Sequence, residues 1–349
     1  MLSRRKFLIR MASAAAATLL NDPRLSAIGA ESAIAKPARL SVGAGVGLIS
    51  PAGATFRHQD VQIVVDAMQA LGLIPHLAPH LLDRYGYLAG RDVDRAADIN
   101  QFFADPAIAM LLPLQGGWGC ARLLPYLDYD LIRANPKIVV GFSDLTSLLL
   151  AIYARAGLVT FHGPNGLTSW RTAQTASFRN VLFAGERATF RNQPAAEDAD
   201  RLMQVKHRIQ TITPGKARGK LVGGNLSVLS GIVGSPYLPD LKGAILFLED
   251  VGEEIYRVDR LLTHLKLAGV FNNLAGFVFG QCTRCLPNGG YSSLTLEEVV
   301  WDCIQPLGIP AWYGAQIGHL EPVLTLPIGT EVEIDATLGQ IRMLEPAVV

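Results

Sequence analysis

The sequence predicts an α/β protein: an N-terminal domain built on a parallel sheet, then a C-terminal domain of mixed α/β, partly β-barrel-like character. Three observations predict it. Short buried apolar runs alternate with helix-period segments through the first half, the pattern of strands joined by crossover helices. A polar, weakly patterned stretch interrupts that rhythm at 172–215. Beyond it, strand-like runs cluster around one amphipathic helix.

In order, Val46 to Ile49 is a short apolar run ending in Ser50-Pro51-Ala52-Gly53, a strand leading into a loop able to approach a ligand closely. Val61, Val64, Val65, Met68 and Leu71 recur at helical spacing, with Gly72 as the stop. Ile108 to Leu114 is a buried-strand run ending in glycines. Lys137 to Phe142 is another, and Ser143-Asp144 after it suits the N-cap of a helix from Leu145 to Ala156. In the second half, Gly219 to Val222 and Ala244 to Leu248 read as strands, Glu254 to Leu267 as an amphipathic helix, and Leu324 to Met343 as closing strands. The expected divisions are a targeting segment at 1–35, the first domain at 36–171, a linker region at 172–215 and the second domain at 216–349.

Half of the 349 residues are hydrophobic and 17% are charged, a globular profile. The net charge of +1, with both signs interleaved and no basic run among aromatics, argues against nucleic acid as a partner. Four cysteines, Cys120, Cys282, Cys285 and Cys303, are too few for a disulfide framework in a chain this long. The N-terminus differs from the rest. Arg4-Arg5-Lys6-Phe7-Leu8, the apolar stretch from Met11 to Leu20 and Ala33-Ile34-Ala35 match a twin-arginine signal peptide with an A-x-A cleavage site, and Ile28-Gly29-Ala30 is a weaker site. The apolar run is too short for a stable membrane anchor, so an exported, periplasmic location is expected.

The segment Gln115-Gly116-Gly117-Trp118-Gly119-Cys120-Ala121-Arg122 follows a buried strand and is expected to open a helix. Glycines allow strained backbone, so such a turn can act as a nucleophile elbow that projects a side chain while amides at the helix start face a developing anion. Cys120 stands at that apex, and a helix N-terminus favours its thiolate. The same residues also read as a buried cysteine beside a structural glycine turn.

The segment resembles the nucleophile motif of the LD-carboxypeptidases, or muramoyltetrapeptide carboxypeptidases, which usually reads G-G-Y-G-S there. The resemblance continues through Leu123-Leu124-Pro125-Tyr126-Leu127-Asp128-Tyr129-Asp130, Asn135-Pro136-Lys137, Gly141-Phe142-Ser143-Asp144-Leu145-Thr146 and Thr160-Phe161-His162-Gly163-Pro164. It resumes in Gly223-Gly224-Asn225-Leu226-Ser227, Phe247-Leu248-Glu249-Asp250-Val251-Gly252-Glu253, Gly318-His319 and Thr325-Leu326-Pro327-Ile328-Gly329. Several co-linear blocks are more specific than any one of them.

The resemblance implies Cys120 as nucleophile in place of serine, Glu249 as orienting carboxylate and His319 as general base, meeting where the two domains join. An imidazole can take the nucleophile's proton and return it to a leaving amine while a carboxylate fixes its tautomer. The amides of Ala121 and of Gly116 or Gly117 are the oxyanion-hole candidates. Trp118 and Arg122 are the substrate-binding candidates, and Gln115 stands where the family often has arginine. The implied reaction is release of terminal D-alanine from murein tetrapeptides, with no cofactor, no metal, and room for a homodimer. Alternatives are a non-catalytic murein-peptide binder and a peptidase resembling the microcin self-immunity branch, which cleaves peptidyl-nucleotide antibiotics. A glutaminase-type amidotransferase would need glycine two residues after the cysteine, where Arg122 stands. Cys282-Thr283-Arg284-Cys285 lacks a second pair or histidine cluster to complete a zinc site, which leaves packing or a disulfide.

Overall fold

The protein is described by a computed structural model over residues 34–193, 198, 200–287 and 293–349. The expected targeting segment lies outside the described residues up to residue 33, as do Pro194, Glu197 and Ala199 of the expected linker.

The first sheet is assembled from β1 (Gly45–Ile49), β2 (Ile74–Leu77), β3 (Ile108–Pro113), β4 (Ile138–Gly141) and β5 (Thr160–His162). These five run parallel in the order β2-β1-β3-β4-β5. Their central members are buried apolar runs because helices cover both faces of such a sheet. Crossover helices α1 (His58–Ala70), α2 (Asp92–Ala104), α3 (Tyr129–Ala134) and α4 (Leu145–Ala156) supply that cover. In α1 the buried residues are Val61, Val64 and Met68, the stripe its spacing predicts. Helix α4 buries Leu145, Leu148, Leu149 and Ile152 among others.

The region expected as linker is structured in part. It contains α5 (Thr172–Leu182), β6 (Thr189–Arg191) and β7 (Gln210–Thr213). Both strands join the second sheet, whose other members are β8 (Lys216–Asn225), β9 (Ile245–Val251), β10 (Gly276–Thr283) and β11 (Ala311–Tyr313), then two C-terminal strands. Short helices α6 (Leu226–Ser230), α7 (Ile255–Leu267) and α8 (Leu296–Ile304) connect them. The expected closing strands separate. Leu326–Ile328, β12, crosses back to the first sheet and pairs antiparallel with β5, whereas β13 (Glu331–Asp335) and β14 (Gln340–Met343) stay in the second.

The second sheet runs β6-β14-β13-β8-β9-β10-β11-β7, parallel in the centre and antiparallel toward both ends. The expected barrel-like character is not found, because β6 and β7 are separate edges of an open sheet. Cys282, at the end of β10, is joined to Cys285 in a disulfide. No helix among the described residues is long and apolar enough to cross a membrane.

Phe247 on β9 is fully buried and meets His162, at the end of β5, edge to face with ring centroids 5.3 Å apart. This contact joins the two sheets. Replacing Phe247 by alanine is expected to lower unfolding free energy by about 3–5 kcal/mol, the usual range for a truncated core aromatic, measured by denaturant titration. A loss below about 1 kcal/mol would show that the contact does not hold the sheets together.

Candidate active site

In open parallel sheets, ligand sites form beyond the carboxyl ends of the strands, where the strand order reverses direction. A cleft of about 550 Å³ lies there. Gly53 and Ala54 line it after β1, Gln115 to Trp118 after β3, Phe142 and Ser143 after β4, and Asn165, Leu167 and Thr168 after β5. His319 enters from the segment between β11 and β12. The lining offers one imidazole and no carboxylate or thiol, too few donors for a metal ion.

A line of hydrogen bonds runs into this cleft. His319 Nδ1 lies 2.7 Å from Glu249 Oε2, and His319 Nε2 lies 2.9 Å from Ser143 Oγ. With the carboxylate accepting from Nδ1–H, Nε2 is left to accept the Ser143 hydroxyl proton. Glu249, on β9, is fully buried; burial pushes its carboxyl up from the ordinary range, and the bond to His319 and its charge pull it back. His162 lies nearby, pulled down to about 3 first by burial and then by the charge of His319. It therefore stays neutral beside the His319 imidazole. Phe142 packs against the His319 ring with centroids 4.9 Å apart.

Ser143 occupies the tight turn from β4 into α4 with φ of +67°, a conformation costly for a residue bearing a Cβ. The strain lifts its side chain out of the strand end toward the cleft, the geometry of a nucleophile elbow. Two close approaches complete the arrangement. A Cβ on Gly116 would come within 2.9 Å of the Ser143 Cβ, so only glycine lets that loop lie against the serine. A Cβ on Gly318, whose φ is +124°, would come within 2.7 Å of Glu249 Oε2, so glycine lets the histidine segment settle over the carboxylate.

The structure corrects the placement of Cys120. Both ring nitrogens of His319 are engaged, by Glu249 and Ser143, and Cys120 is fully buried in the apolar core, outside the cleft lining. It begins a 3-10 helix, Cys120–Tyr126, rather than an α-helix. Burial first, then the neighbouring Asp144 carboxylate, raise its thiol well above the usual value, which disfavours the thiolate. The Cys120 amide donates to Asp144 Oδ2 at 2.8 Å, so this residue supports the turn that carries Ser143 from behind.

The other expected residues divide in the same way. Gly116, Gly117 and Trp118 line the cleft. Ala121 is exposed and outside the lining, because the amide that follows the elbow serine belongs to Asp144. Arg122 points elsewhere, pairing with Asp92 at 2.9 Å. Gln115 donates from Nε2 to the Ala54 carbonyl at 2.9 Å, tying the loop after β3 to the loop after β1. Sequence reasoning passed over Ser143 as a cap. The signal was present: a buried strand ending in Gly141-Phe142-Ser143 with a helix starting at once is the first half of the G-x-S-x-G pattern.

Family models match in both halves of the chain. The LD-carboxypeptidase N-terminal domain matches residues 46–163 and the LD-carboxypeptidase C-terminal domain residues 218–334. A Bacillus subtilis (strain 168) protein named "Probable murein peptide carboxypeptidase" is 37% identical over 86% of this chain and 91% of its own length. The "Murein tetrapeptide carboxypeptidase" of Pseudomonas aeruginosa is 31% identical over 78% of this chain and 87% of its own. Among solved structures, the microcin C7 self immunity protein MccF in its wild-type apo state superposes with a TM-score of 0.80 at 30% identity, covering 90% of this chain and all (100%) of that one. Two domain matches in order, and relatives aligned over most of both lengths, show that the chain belongs to the LD-carboxypeptidase family of peptidases.

Proposed function

We propose that the protein releases the terminal D-alanine of murein tetrapeptides, with Ser143 as nucleophile, His319 as general base and acid, and Glu249 as the carboxylate that orients the histidine. The observation that carries the reading is the unbroken line from Ser143 Oγ to His319 Nε2 and from His319 Nδ1 to Glu249 at the wall of the cleft. In the first step Ser143 Oγ bonds to the peptide carbonyl carbon and its proton passes to His319 Nε2. That proton then goes to the departing D-alanine nitrogen as the C–N bond breaks. Water, deprotonated by His319, releases the peptide from the serine ester. The Asp144 amide, at the start of α4 where helix N–H groups lack intrahelical partners, and an amide of Gly116 or Gly117 are placed to meet the oxyanion. Trp118 and Tyr87, edge to face with centroids 6.0 Å apart, offer a rim for the peptide.

The likeness to MccF, solved in complex with glutamyl sulfamoyl guanosine and with aspartyl sulfamoyl adenosine, favours a second substrate class, peptidyl-nucleotides. Incubation of purified protein with defined murein tri-, tetra- and pentapeptides and with a peptidyl-nucleotide, followed by mass spectrometry, separates them. Loss of one D-alanine from tetrapeptide alone is the expected result. Cleavage of only the peptidyl-nucleotide would favour the second class, and binding without cleavage a non-catalytic role.

Ser143→Ala and His319→Ala should each lower kcat/KM by about 10⁴-fold or more, and the double variant little further, since the pair acts as a unit. Cys120→Ala should stay within about tenfold of the parent, about 1.4 kcal/mol. In the folded protein Cys120 should resist iodoacetamide over a period in which the unfolded chain is fully alkylated. An active Ser143→Ala together with an inactive Cys120→Ala would return the nucleophile to the thiol.

We further propose that the protein is exported through the twin arginines at Arg4 and Arg5. Replacing both by lysine should leave the full-length chain in the cytoplasmic fraction. Unchanged fractionation would remove the basis for export.

A further inference from the structure

We propose that His80, Asp83 and Asp94 form a binding site for a divalent cation of the zinc or manganese class, apart from the cleft that holds Ser143. His80 and Asp83 lie in the turn after β2, and Asp94 in the first turn of α2. One donor atom from each falls within 4.8 Å of the others. Donors about 2.0–2.2 Å from a tetrahedral ion sit about 3.3–3.6 Å apart, so side chains at that limit draw inward by about an ångström to close the ring. His80 Nδ1 already meets Asp83 Oδ2 at 2.8 Å.

A second observation comes from the next turn of the same helix. Asp98 is 3% exposed, and its Oδ2 accepts from the His80 amide at 3.2 Å. Its other oxygen, Oδ1, is buried without a hydrogen-bond partner among the described residues. An unpartnered buried carboxylate oxygen is costly. A hydrated cation held by the three outer groups would neutralise the cluster and present a water donor to Oδ1. One imidazole with carboxylates suits zinc or manganese better than calcium, which takes six to eight oxygens.

The turn bearing His80 and Asp83 continues to Tyr87, whose carbonyl accepts from the Ala54 amide at 3.1 Å and whose ring lines the cleft. A cation there would fasten that wall to α2. The test reads binding rather than turnover, so it is independent of the proposed reaction. Full-length protein freed of metal with a chelator is titrated calorimetrically with Zn²⁺ and Mn²⁺, and with Ca²⁺ and Mg²⁺ for comparison. One equivalent of Zn²⁺ or Mn²⁺ should bind, equally in Ser143→Ala, and raise the melting temperature. Asp83→Asn and Asp94→Asn, at accessible positions that need not disturb folding, should each weaken binding by about tenfold or more. No saturable binding of either ion below about 1 mM, or binding unchanged in both variants, would overturn the proposal.

Discussion

The hydrogen bond between Glu249 and His319 is the interaction on which the arrangement depends. It joins a strand of the second sheet to a segment that reaches the first, and it gives Oε2 of a carboxylate with no exposed surface its partner, while Oε1 has none among the described residues. An ionised carboxylate in that position is tolerable only with a close, well-aligned partner. The partner must therefore be delivered accurately, and much of the surrounding structure serves that end. The β8–β9 pairing fixes Asn225 opposite Glu249. The Asn225 amide donates to Thr146 Oγ1 on α4, and its side chain to Asp250, so the helix that follows Ser143 is linked to the strand that carries Glu249.

Behind the serine turn lies a second buried polar system. Arg95 is almost wholly enclosed, yet it donates to the Pro51 and Gly119 carbonyls and to Asp92. It thereby fastens the loop after β1 and the loop after β3 to α2. Asp144 closes the other side by accepting from the Cys120 amide, and burial pushes its carboxyl up. Strain at Ser143 persists because these bonds over-determine the backbone on both flanks.

The parallel sheet of the first half was legible in the sequence because its strands are buried on both faces and so appear as continuous apolar runs, as in Ile108 to Leu114. The second half was less legible. Thr189–Arg191 and Gln210–Thr213 are short edge strands with polar exposed faces, which composition cannot separate from a linker. Leu326–Ile328 looked like its neighbours β13 and β14, and only tertiary pairing sends it to the other sheet. At the site, Glu249 and His319 were singled out from the blocks that surround them. Cys120 was singled out because a glycine turn before a helix looks alike whether the side chain at its apex faces a cleft or a core. That direction depends on packing between α2, α4 and the turn, which local sequence does not encode.

The return of β12 to the first sheet couples distant parts of the chain in time as well as in space. Its partner β5 is synthesised more than a hundred and fifty residues earlier, and the pairing of Leu326 with His162 cannot form until that later segment has been made. His319 lies just before that strand. The first sheet thus gains its last edge, and Ser143 Oγ its contact with the imidazole, from segments that follow them in the chain by more than a hundred and fifty residues.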